Sequence, residues 1–234
     1  MQDRVVVITG ATGNLGRVMA AKLAESGAAL ALFGTNEERL HRLEEELGVQ
    51  GDRMLTGVTD FTQPGGAEAS LGAVMGKYGR VDILLHLVGG WTGGKTVTEV
   101  PPEDLAGMLG QHVWTTFYLA KAFVPHLVEN GWGRIVVVSS PHASNPPAKS
   151  SPYVAAKAAQ EALILGLSKE LAGSGVTANI VQVHSIDADH ERDRERTTRN
   201  ALWTTPEELA GAILYLCSDE AGVINGARIP VFGG

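Results

Sequence analysis

The chain has 234 residues, a formal net charge of −7 and a single cysteine, Cys217. This length suits one large α/β domain, and a single cysteine excludes an internal disulfide framework and favours a reducing compartment. The acidic balance argues against nucleic acid or an anionic membrane as a partner, and no apolar run approaches the ~20 residues of a membrane span.

The first strand-like run starts at Arg4, which leaves no room for a signal peptide, so we expect a cytoplasmic protein. From there, strand-like and helix-like runs alternate to the end of the chain. The predicted strands are Val5–Thr9, Leu30–Phe33, Arg53–Gly57, Ile83–Val88, Ile135–Ser139, Thr177–Val183 and Ala227–Phe232. The predicted helices are Asn14–Ser26, Glu37–Leu47, Ala67–Tyr78, Pro102–Asn130 (long enough for two helices), Pro152–Ala172 and Pro206–Leu216.

Most of these strands are continuous apolar stretches, which is typical of parallel strands buried on both faces. The β-α order predicts a single Rossmann-type, doubly wound α/β domain over residues 1–234, with about seven parallel strands and helices on both faces. The irregular segment is His184–Thr204, whose interleaved charges indicate a solvated surface helix or loop. Ligands bind outside the carboxyl ends of the strands in such a sheet, so the residues that follow strands are the first candidates for function.

A glycine-rich turn joins the first predicted strand to the first helix. In VVVITGATGNLGRVMA the three glycines are spaced three residues apart. This spacing lets the backbone approach a pyrophosphate, to which the helix N-terminus offers free N–H groups and partial positive charge. A tight turn that only packs helix against strand is the alternative. We predict a dinucleotide site whose loop residues are Gly10, Thr12, Gly13, Asn14, Leu15 and Gly16.

The end of the second strand bears on the choice of dinucleotide. NAD-selecting sites place a carboxylate there, which binds the ribose diol. This chain has Gly34, Thr35 and Asn36 instead, and Arg39 or Arg17 could reach a 2′-phosphate. We therefore predict a modest preference for NADP, with NAD as the alternative cofactor.

Three side chains in the stretch SSPHASNPPAKSSPYVAAK form a spaced set. Ser140 lies thirteen residues before Tyr153, and Lys157 follows Tyr153 by four residues, on the same face if the segment is helical. At ~4 Å and an effective dielectric of ~20, an ammonium favours the phenolate by roughly 4 kcal/mol. A phenol with a lowered pKa can exchange a proton with a carbonyl near neutral pH. An amphipathic helix with a half-buried tyrosine and a surface lysine is the alternative.

With the glycine loop, this order of serine, tyrosine and lysine resembles the short-chain dehydrogenases/reductases. GRIVVVSS, TTFYLAKAFVPHL and the tail TTPEELAGAILYLCSDEAGVINGARIPVFGG are similar to that family's fifth strand, fifth helix and ending, so the resemblance covers essentially the whole chain. It implies hydride transfer between a nicotinamide and a ketone or secondary alcohol, with Tyr153 as general acid/base. Lys157 would lower the pKa of Tyr153 and hold the nicotinamide ribose. Ser140, rather than Ser139, would hydrogen-bond the substrate oxygen.

The chain departs from the family pattern at several positions. The Asn-Asn-Ala-Gly signature after the fourth strand is replaced by HLVG at residues 86–89, where Val88 and Gly89 would contact the cofactor. The aspartate that usually meets the adenine aligns with Gly57, and the usual Pro-Gly after the sixth strand is replaced by VH at residues 183–184. The family's usual second glycine of the loop is absent, because position 14 is asparagine. A catalytically weak or inactive dinucleotide-binding or regulatory protein on the same fold is therefore the alternative function.

The asparagine of the family's catalytic tetrad aligns with His112. The resemblance implies that the helix backbone at this position helps to hold a water that leads to Lys157. The imidazole itself could also relay protons, since its ordinary pKa is near neutrality. We therefore count His112 among the candidate catalytic residues.

Four further residues are candidates for the substrate side: Trp91, His142, His184 and Trp203. The last two bound the loop His184–Thr204, which would form a short substrate lid. Simple packing is the alternative for the tryptophans. His86, His112, His142 and His184 could all lie near the carboxyl edge of the sheet, but no pair has His-x-x-x-His spacing, so we predict no metal site. The expected substrate is a small or medium carbonyl or alcohol compound.

The helix Pro152–Ala172 carries small residues that permit close helix approach: Ala155, Ala156, Ala158, Ala159 and Ala162. Alanines are also plain helix formers. Members of the family commonly pair this helix and the preceding long helix across a two-fold axis. The resemblance therefore implies a homodimer or homotetramer.

Overall fold

The computed structural model describes residues 1–49 and 51–233. Its centre is a seven-stranded sheet in the order β3-β2-β1-β4-β5-β6-β7, and every neighbouring pair of strands is parallel. The strands are β1 Val5–Thr9, β2 Ala29–Gly34, β3 Met54–Val58, β4 Ile83–His86, β5 Gly133–Ser139, β6 Val176–Gln182 and β7 Arg228–Pro230. The prediction of a doubly wound sheet with seven parallel strands is confirmed.

Helices connect the strands: α1 Asn14–Glu25, α2 Glu37–Leu47, α3 Gly66–Tyr78, α4 Pro102–Leu109, α5 Thr115–Glu129, α6 Ser151–Glu170, α7 Glu191–Arg194 and α8 Pro206–Leu216. Helix α8 begins at a capping box, in which Thr205 Oγ1 accepts from the Glu208 N–H and Glu208 Oε2 accepts from the Thr205 N–H. In the part of the chain that the structure describes, no helix has both the length and the apolar character needed to cross a lipid bilayer.

Apolar clusters cover both faces of the sheet. In β1, Val6 and Ile8 pack with residues of α1 and α8, whereas Val5 and Val7 face the opposite layer, formed by α3, α5 and α6. All five residues of β1 are buried. Burial on both faces explains why such a strand has an apolar run without alternation.

Two strands are shorter than predicted. β4 ends at His86 rather than at Val88, because its neighbour β1 ends at Thr9, directly opposite His86. β7 covers only Arg228–Pro230 of the predicted 227–232, and its last residue is a proline, which has no N–H to donate to the ladder. Leu87 still donates its N–H to Thr9 O, and the residues after Leu87 leave the sheet and can line a cleft.

The predicted helical region 102–130 contains two helices joined by a π-helical turn, Gly110–Trp114. The Thr115 N–H donates to Gly110 O, five residues back. The hydroxyl of Thr115 donates to Gln111 O and that of Thr116 to His112 O, each at 2.6 Å. These side chains bind backbone carbonyls at the wide turn, a kind of turn that is frequent at functional sites.

The charged segment after β6 is anchored at both ends. The Asp187 carboxylate accepts from the N–H groups of Glu191 and Arg192 at 2.8 and 2.9 Å, where α7 begins. Arg192 in turn donates to Trp203 O at 2.7 Å and to Glu208 Oε1 at 2.6 Å. The expectation of a solvated segment is therefore only partly right, because Arg192 holds the segment against α8.

Candidate active site

A cleft of about 760 Å³ opens at the carboxyl ends of the central strands. It lies beside β1 and β4, where the strand order reverses and where doubly wound sheets bind ligands. All but one of the residues predicted to bind the cofactor line it: Gly10, Thr12, Gly13, Asn14, Leu15, Gly16, Gly34, Thr35, Val88, Gly89, Tyr153 and Lys157. The exception is Asn36.

The glycine turn brings backbone to the floor of this cleft. Gly10 has a φ of +73°, and a Cβ at this position would lie 2.9 Å from the backbone of Leu87 and Val88. Helix α1 follows with Gly13 at its N-cap, no side-chain cap and no acidic residue in its first turn. Its first N–H groups therefore remain available to a ligand. Close backbone approach and free N–H donors fit a dinucleotide pyrophosphate.

Asn36 has a structural role instead, because its Oδ1 caps α2 by accepting from the Arg39 N–H at 2.8 Å. A second cavity next to the glycine turn is lined by Arg17, Arg39 and Arg42. The guanidinium of Arg17 is engaged with Glu46, at 2.6 Å between Nη2 and Oε2. Over residues 1–49 and 51–233, no ion pair joins Arg39 to a carboxylate.

Tyr153 and Ser140 are neighbours at the end of β5 and the start of α6. Ser140 is buried, and its Oγ accepts from the His142 N–H at 3.3 Å. Burial raises the pKa of Tyr153, the hydrogen bond with Ser140 opposes this effect, and the charge of Glu161 adds to it. The pKa of Tyr153 is therefore raised in this arrangement, where a lowered pKa was expected. The phenol keeps its proton at neutral pH.

Lys157 is buried on α6, one helical turn after Tyr153. Its Nζ donates to Val138 O at 2.7 Å and to Gln160 Oε1 at 2.9 Å. Burial lowers the pKa of Lys157 to about 7, and the charge of Glu161 partly opposes this. An ammonium has three protons, so one donor remains for a ligand in the cleft that Lys157 lines.

His112 lies at the centre of the π-helical turn with its ring against Tyr153, at 5.8 Å between ring centroids. Its Nε2 lies 3.2 Å from Gly90 O, and since a carbonyl only accepts, Nε2 carries the proton. Its Nδ1 has no hydrogen-bond partner in the described part of the chain. Burial and the charge of Lys157 lower the pKa of His112 to about 3. The pKa near neutrality on which a relay through this imidazole was predicted is therefore absent, because the ring stays neutral.

Hydrogen bonds of His86 connect its own strand β4 to β1 and to α5. Its Nδ1 lies 2.8 Å from the hydroxyl of Thr9 in β1, and its Nε2 lies 3.2 Å from the hydroxyl of Thr115 at the start of α5. Thr115 already donates to Gln111 O, so it accepts from Nε2–H, and Thr9 donates to Nδ1. Burial, with the charge of Lys157, lowers the pKa of His86 to about 3. This histidine is a neutral structural side chain.

The four predicted substrate residues do not all reach the cleft. His184 lines it, whereas Trp91, His142 and Trp203 are not among its lining residues. His142 lies behind His184 with ring centroids 5.7 Å apart, and the ring of Phe232 lies 4.5 Å from that of His184. Trp91 is 63% exposed. Phe232 was missed in the sequence, because the predicted last strand included it.

The loop after β3 was also missed, although Thr59, Asp60, Phe61 and Thr62 all line the cleft. Their position after a strand end was the available signal. Gly57 precedes this loop, and a Cβ there would lie 2.7 Å from Phe33 Cε1. Phe33 packs edge-to-face against Phe61, at 5.9 Å between ring centroids. An aromatic pair thus occupies the space beside position 57.

The arrangement suits proton transfer to an oxygen bound in the cleft. The protonated phenol of Tyr153 and the ammonium of Lys157, which has one free donor, line the cleft, and Ser140 is buried next to Tyr153. Apart from residues 50 and 234, which the structure does not describe, no cluster of three His, Cys, Asp or Glu side chains could hold a metal ion.

Known proteins resemble this chain in sequence over its full length. A family model described as short chain dehydrogenase matches residues 4–199. The 3-oxoacyl-(acyl-carrier-protein) reductase of Vibrio cholerae is 30% identical, over 100% of this chain and 98% of its own. A hydroxy(phenyl)methylsuccinyl-CoA dehydrogenase subunit of Thauera aromatica is 28% identical, over 100% and 97%.

Solved structures also match this chain over nearly its full length. The 3-ketoacyl-(acyl-carrier-protein) reductase from Brucella melitensis, complexed with NADH, superposes with a TM-score of 0.89 at 25% identity, covering 100% of this chain and 98% of that chain. A short chain oxidoreductase from Pseudomonas aeruginosa PAO1, described as containing an atypical catalytic center, gives 0.88 at 27% identity, covering 99% and 96%.

Proposed function

Because the chain belongs to the short-chain dehydrogenase family and is an NAD(P)-dependent oxidoreductase of the short-chain type, we propose that it acts as a carbonyl reductase or alcohol dehydrogenase on a small ketone or secondary alcohol. One observation carries the proposal. Tyr153 and Lys157 line the same cleft as the glycine turn, and the buried hydroxyl of Ser140 lies next to Tyr153. A dinucleotide held on that turn would supply the hydride.

The residues of the chain would hold the substrate oxygen and move the proton. The Ser140 hydroxyl would donate a hydrogen bond to that oxygen, and Tyr153 would donate its proton to it in the direction of reduction. The raised pKa of Tyr153 keeps the phenol protonated for this step. The positive charge of Lys157 would stabilise the phenolate that forms, and its remaining N–H would bind a ribose hydroxyl of the cofactor.

For the cofactor, NADP remains the modest preference. The end of β2 has Gly34 and Thr35 in the cleft and no carboxylate that would repel a 2′-phosphate. Arg39 lines the adjoining cavity without an ion pair in the described residues, so its guanidinium could bind a phosphate. His184, with His142 and Phe232 behind it, would contact the substrate on the side opposite the glycine turn.

A homodimer or homotetramer is the proposed assembly, and the supporting observation is an aromatic cluster at the start of α5, formed by Trp114 of the π-helical turn with Phe117 and Tyr118. The neighbouring face of α6 exposes the small residues Ala155, Ala158 and Ala162. The cytoplasmic location also stays a proposal, favoured by a single cysteine that is buried as a free thiol.

The experiment that tests the function combines binding with turnover. Purified protein is titrated with NADPH and NADH by fluorescence, and then assayed with a panel of ketones and secondary alcohols. Binding together with turnover on part of the panel supports the proposal. Tight binding without any turnover would support the alternative of an inactive dinucleotide-binding protein. Binding of neither nucleotide would contradict both.

A further inference from the structure

The side chain of Gln160 has no direct part in the proposed reaction. It lies on α6, three residues after Lys157, and is completely buried. A buried amide costs free energy unless all its polar groups are hydrogen-bonded, and an apolar side chain would fill the same space without that requirement. Its presence beside Lys157 therefore calls for a physical explanation.

The amide completes a chain of hydrogen bonds that has only one possible direction. Lys157 Nζ donates to Gln160 Oε1 at 2.9 Å, and Gln160 Nε2 donates to Thr116 Oγ1 at 2.8 Å. The Thr116 hydroxyl then donates to His112 O at 2.6 Å. An ammonium offers only donors, so the amide cannot be reversed without placing its NH₂ group against those donors. Each donor in the chain thus has one acceptor, from Lys157 to the backbone of the π-helical turn.

We propose that Gln160 is a positioning residue for Lys157, which fixes the direction of its ammonium and connects it through Thr116 to the π-helical turn at His112. With Val138 O as the other acceptor, two of the three ammonium protons are held inside the protein. The third then points in one direction, into the cleft. The inference rests on the proposed role of Lys157 in the short-chain reaction.

Among the described residues, none of the charged or titratable side chains around Lys157 accepts a hydrogen bond from its Nζ. On α6, Glu161 accepts from Gln182 Nε2 at 2.9 Å and pairs with Arg228. On the same helix, Tyr153 is protonated. From β4 and the π-helical turn, His86 and His112 face Lys157 as neutral rings. Among the described residues, Gln160 Oε1 is thus the only side-chain acceptor bonded to Lys157 Nζ.

Two substitutions at this position should move the pKa of Lys157 in opposite directions. Gln160→Met has a similar length and removes the acceptor, so the pKa of Lys157 should fall by about one unit, the size of a lost hydrogen bond to a charged group. Gln160→Glu places a carboxylate against the ammonium, so the pKa should rise by about one unit or more. A lysine that only packs beside residue 160 would show no fall of its pKa in Gln160→Met.

The measurement is a pH titration by NMR of protein labelled with ¹³C at lysine Cε, in which Lys157→Met identifies the resonance of Lys157. The control for a general loosening of α6 is Ser168→Ala, which removes a buried hydroxyl on the same helix that donates to Leu165 O. This variant should leave the titration of Lys157 unchanged. Opposite shifts in the two Gln160 variants support the inference. Unchanged titrations in both, or an equal shift in Ser168→Ala, would overturn it. If Gln160→Met fails to fold, Gln160→Leu, which also removes the acceptor, takes its place.

Kinetics separate this inference from the proposed function. In active protein, the apparent pKa of the alkaline limb of the kcat/KM profile should fall in Gln160→Met and rise in Gln160→Glu. The midpoint of thermal unfolding should not show these opposite changes. Shifted titrations in a protein that turns over no carbonyl or alcohol would leave the positioning of Lys157 intact and remove the proposed reaction. Turnover together with an unchanged Lys157 titration would support the proposed reaction and overturn the positioning of Lys157 by Gln160.

Discussion

Single buried side chains determine the chemistry of the cleft, and two of them are histidines that stay neutral. His86 and His112 have pKa values of about 3, because burial and the nearby charge of Lys157 both disfavour the imidazolium. Neutral rings can donate and accept at fixed atoms, so His86 can join Thr9 to Thr115. The same residues make the fold sensitive to acid.

We expect the free energy of unfolding to decrease as the pH falls below about 6.5. An unfolded histidine binds a proton near that pH, whereas the folded rings do not until about pH 3, so the unfolded state gains stability across this window. Two such groups give a slope of up to about 3 kcal/mol per pH unit. Urea denaturation at pH 7, 6 and 5 measures it. His86→Asn should reduce the slope by about half, and the exposed His41→Asn should not; equal slopes in all three proteins would contradict the prediction.

Tyr153 supports a second prediction at this scale. Tyr153→Phe keeps the ring, and therefore its packing against His112, but removes the proton that the reaction requires. We expect kcat to fall by roughly 10²–10⁴-fold, the usual contribution of a general acid, with nucleotide binding nearly unchanged. Steady-state assays and fluorescence titration with NADPH measure the two effects. Appreciable turnover by this variant would show that another group supplies the proton.

At the scale of secondary-structure elements, the ends of strands determine which ligand groups the cleft accepts. The end of β2 lies next to the glycine turn, and a Cβ at Gly34 would lie 3.4 Å from Thr12 Oγ1, which is an ordinary contact. A side chain can therefore be added there without disturbing the turn. This makes the end of β2 a place to test the cofactor preference.

Gly34→Asp should weaken NADPH binding by about tenfold or more and leave NADH binding unchanged or improved, because a carboxylate repels a 2′-phosphate and accepts hydrogen bonds from a ribose diol. Gly34→Asn has nearly the same size without the charge, and should change the ratio of the two affinities much less. Fluorescence titrations with both nucleotides give the ratio. Wild-type protein that already binds NADH tenfold more tightly would refute the preference.

The elements also show how far the sequence could predict this structure. The β1 strand and the glycine turn were predictable, since two-sided burial and phosphate binding each require a recognisable residue pattern. The π-helical turn was not, because a single wide turn inside a helical run has no residue pattern of its own. The Lys157–Gln160–Thr116 connection also escaped, because it depends on tertiary packing between α6 and α5. For the same reason, the direction of the pKa shift of Tyr153 could not be read from its spacing to Lys157.

At the scale of the whole molecule, the surface carries an aromatic cluster at the start of α5. Trp114 is 50% and Phe117 43% exposed, and the Trp114 ring stacks on Tyr118 at 5.6 Å between centroids. Such a surface favours association, and the proposed two-fold pairing of α5 and α6 would bury it.

We expect the double substitution Trp114→Ser and Phe117→Ser to shift the protein from oligomer to monomer, as measured by sedimentation velocity. Val223→Ser, which changes an apolar residue that is 92% exposed in another part of the chain, is the matched control and should leave the oligomer intact. A sedimentation coefficient that is the same for the wild type and the double variant would place the interface elsewhere.

The packing of Phe33 on Gly57 restricts the paths by which this sequence can evolve. A Cβ at position 57 would lie 2.7 Å from Phe33 Cε1, so an aspartate there would collide with the ring unless the ring shifts. The ring at position 33 must first become smaller, a step that loses its contact with Phe61 and gains nothing until the second change occurs. Sterics therefore constrain the order of the two mutations, because the change at position 33 has to come before the change at position 57.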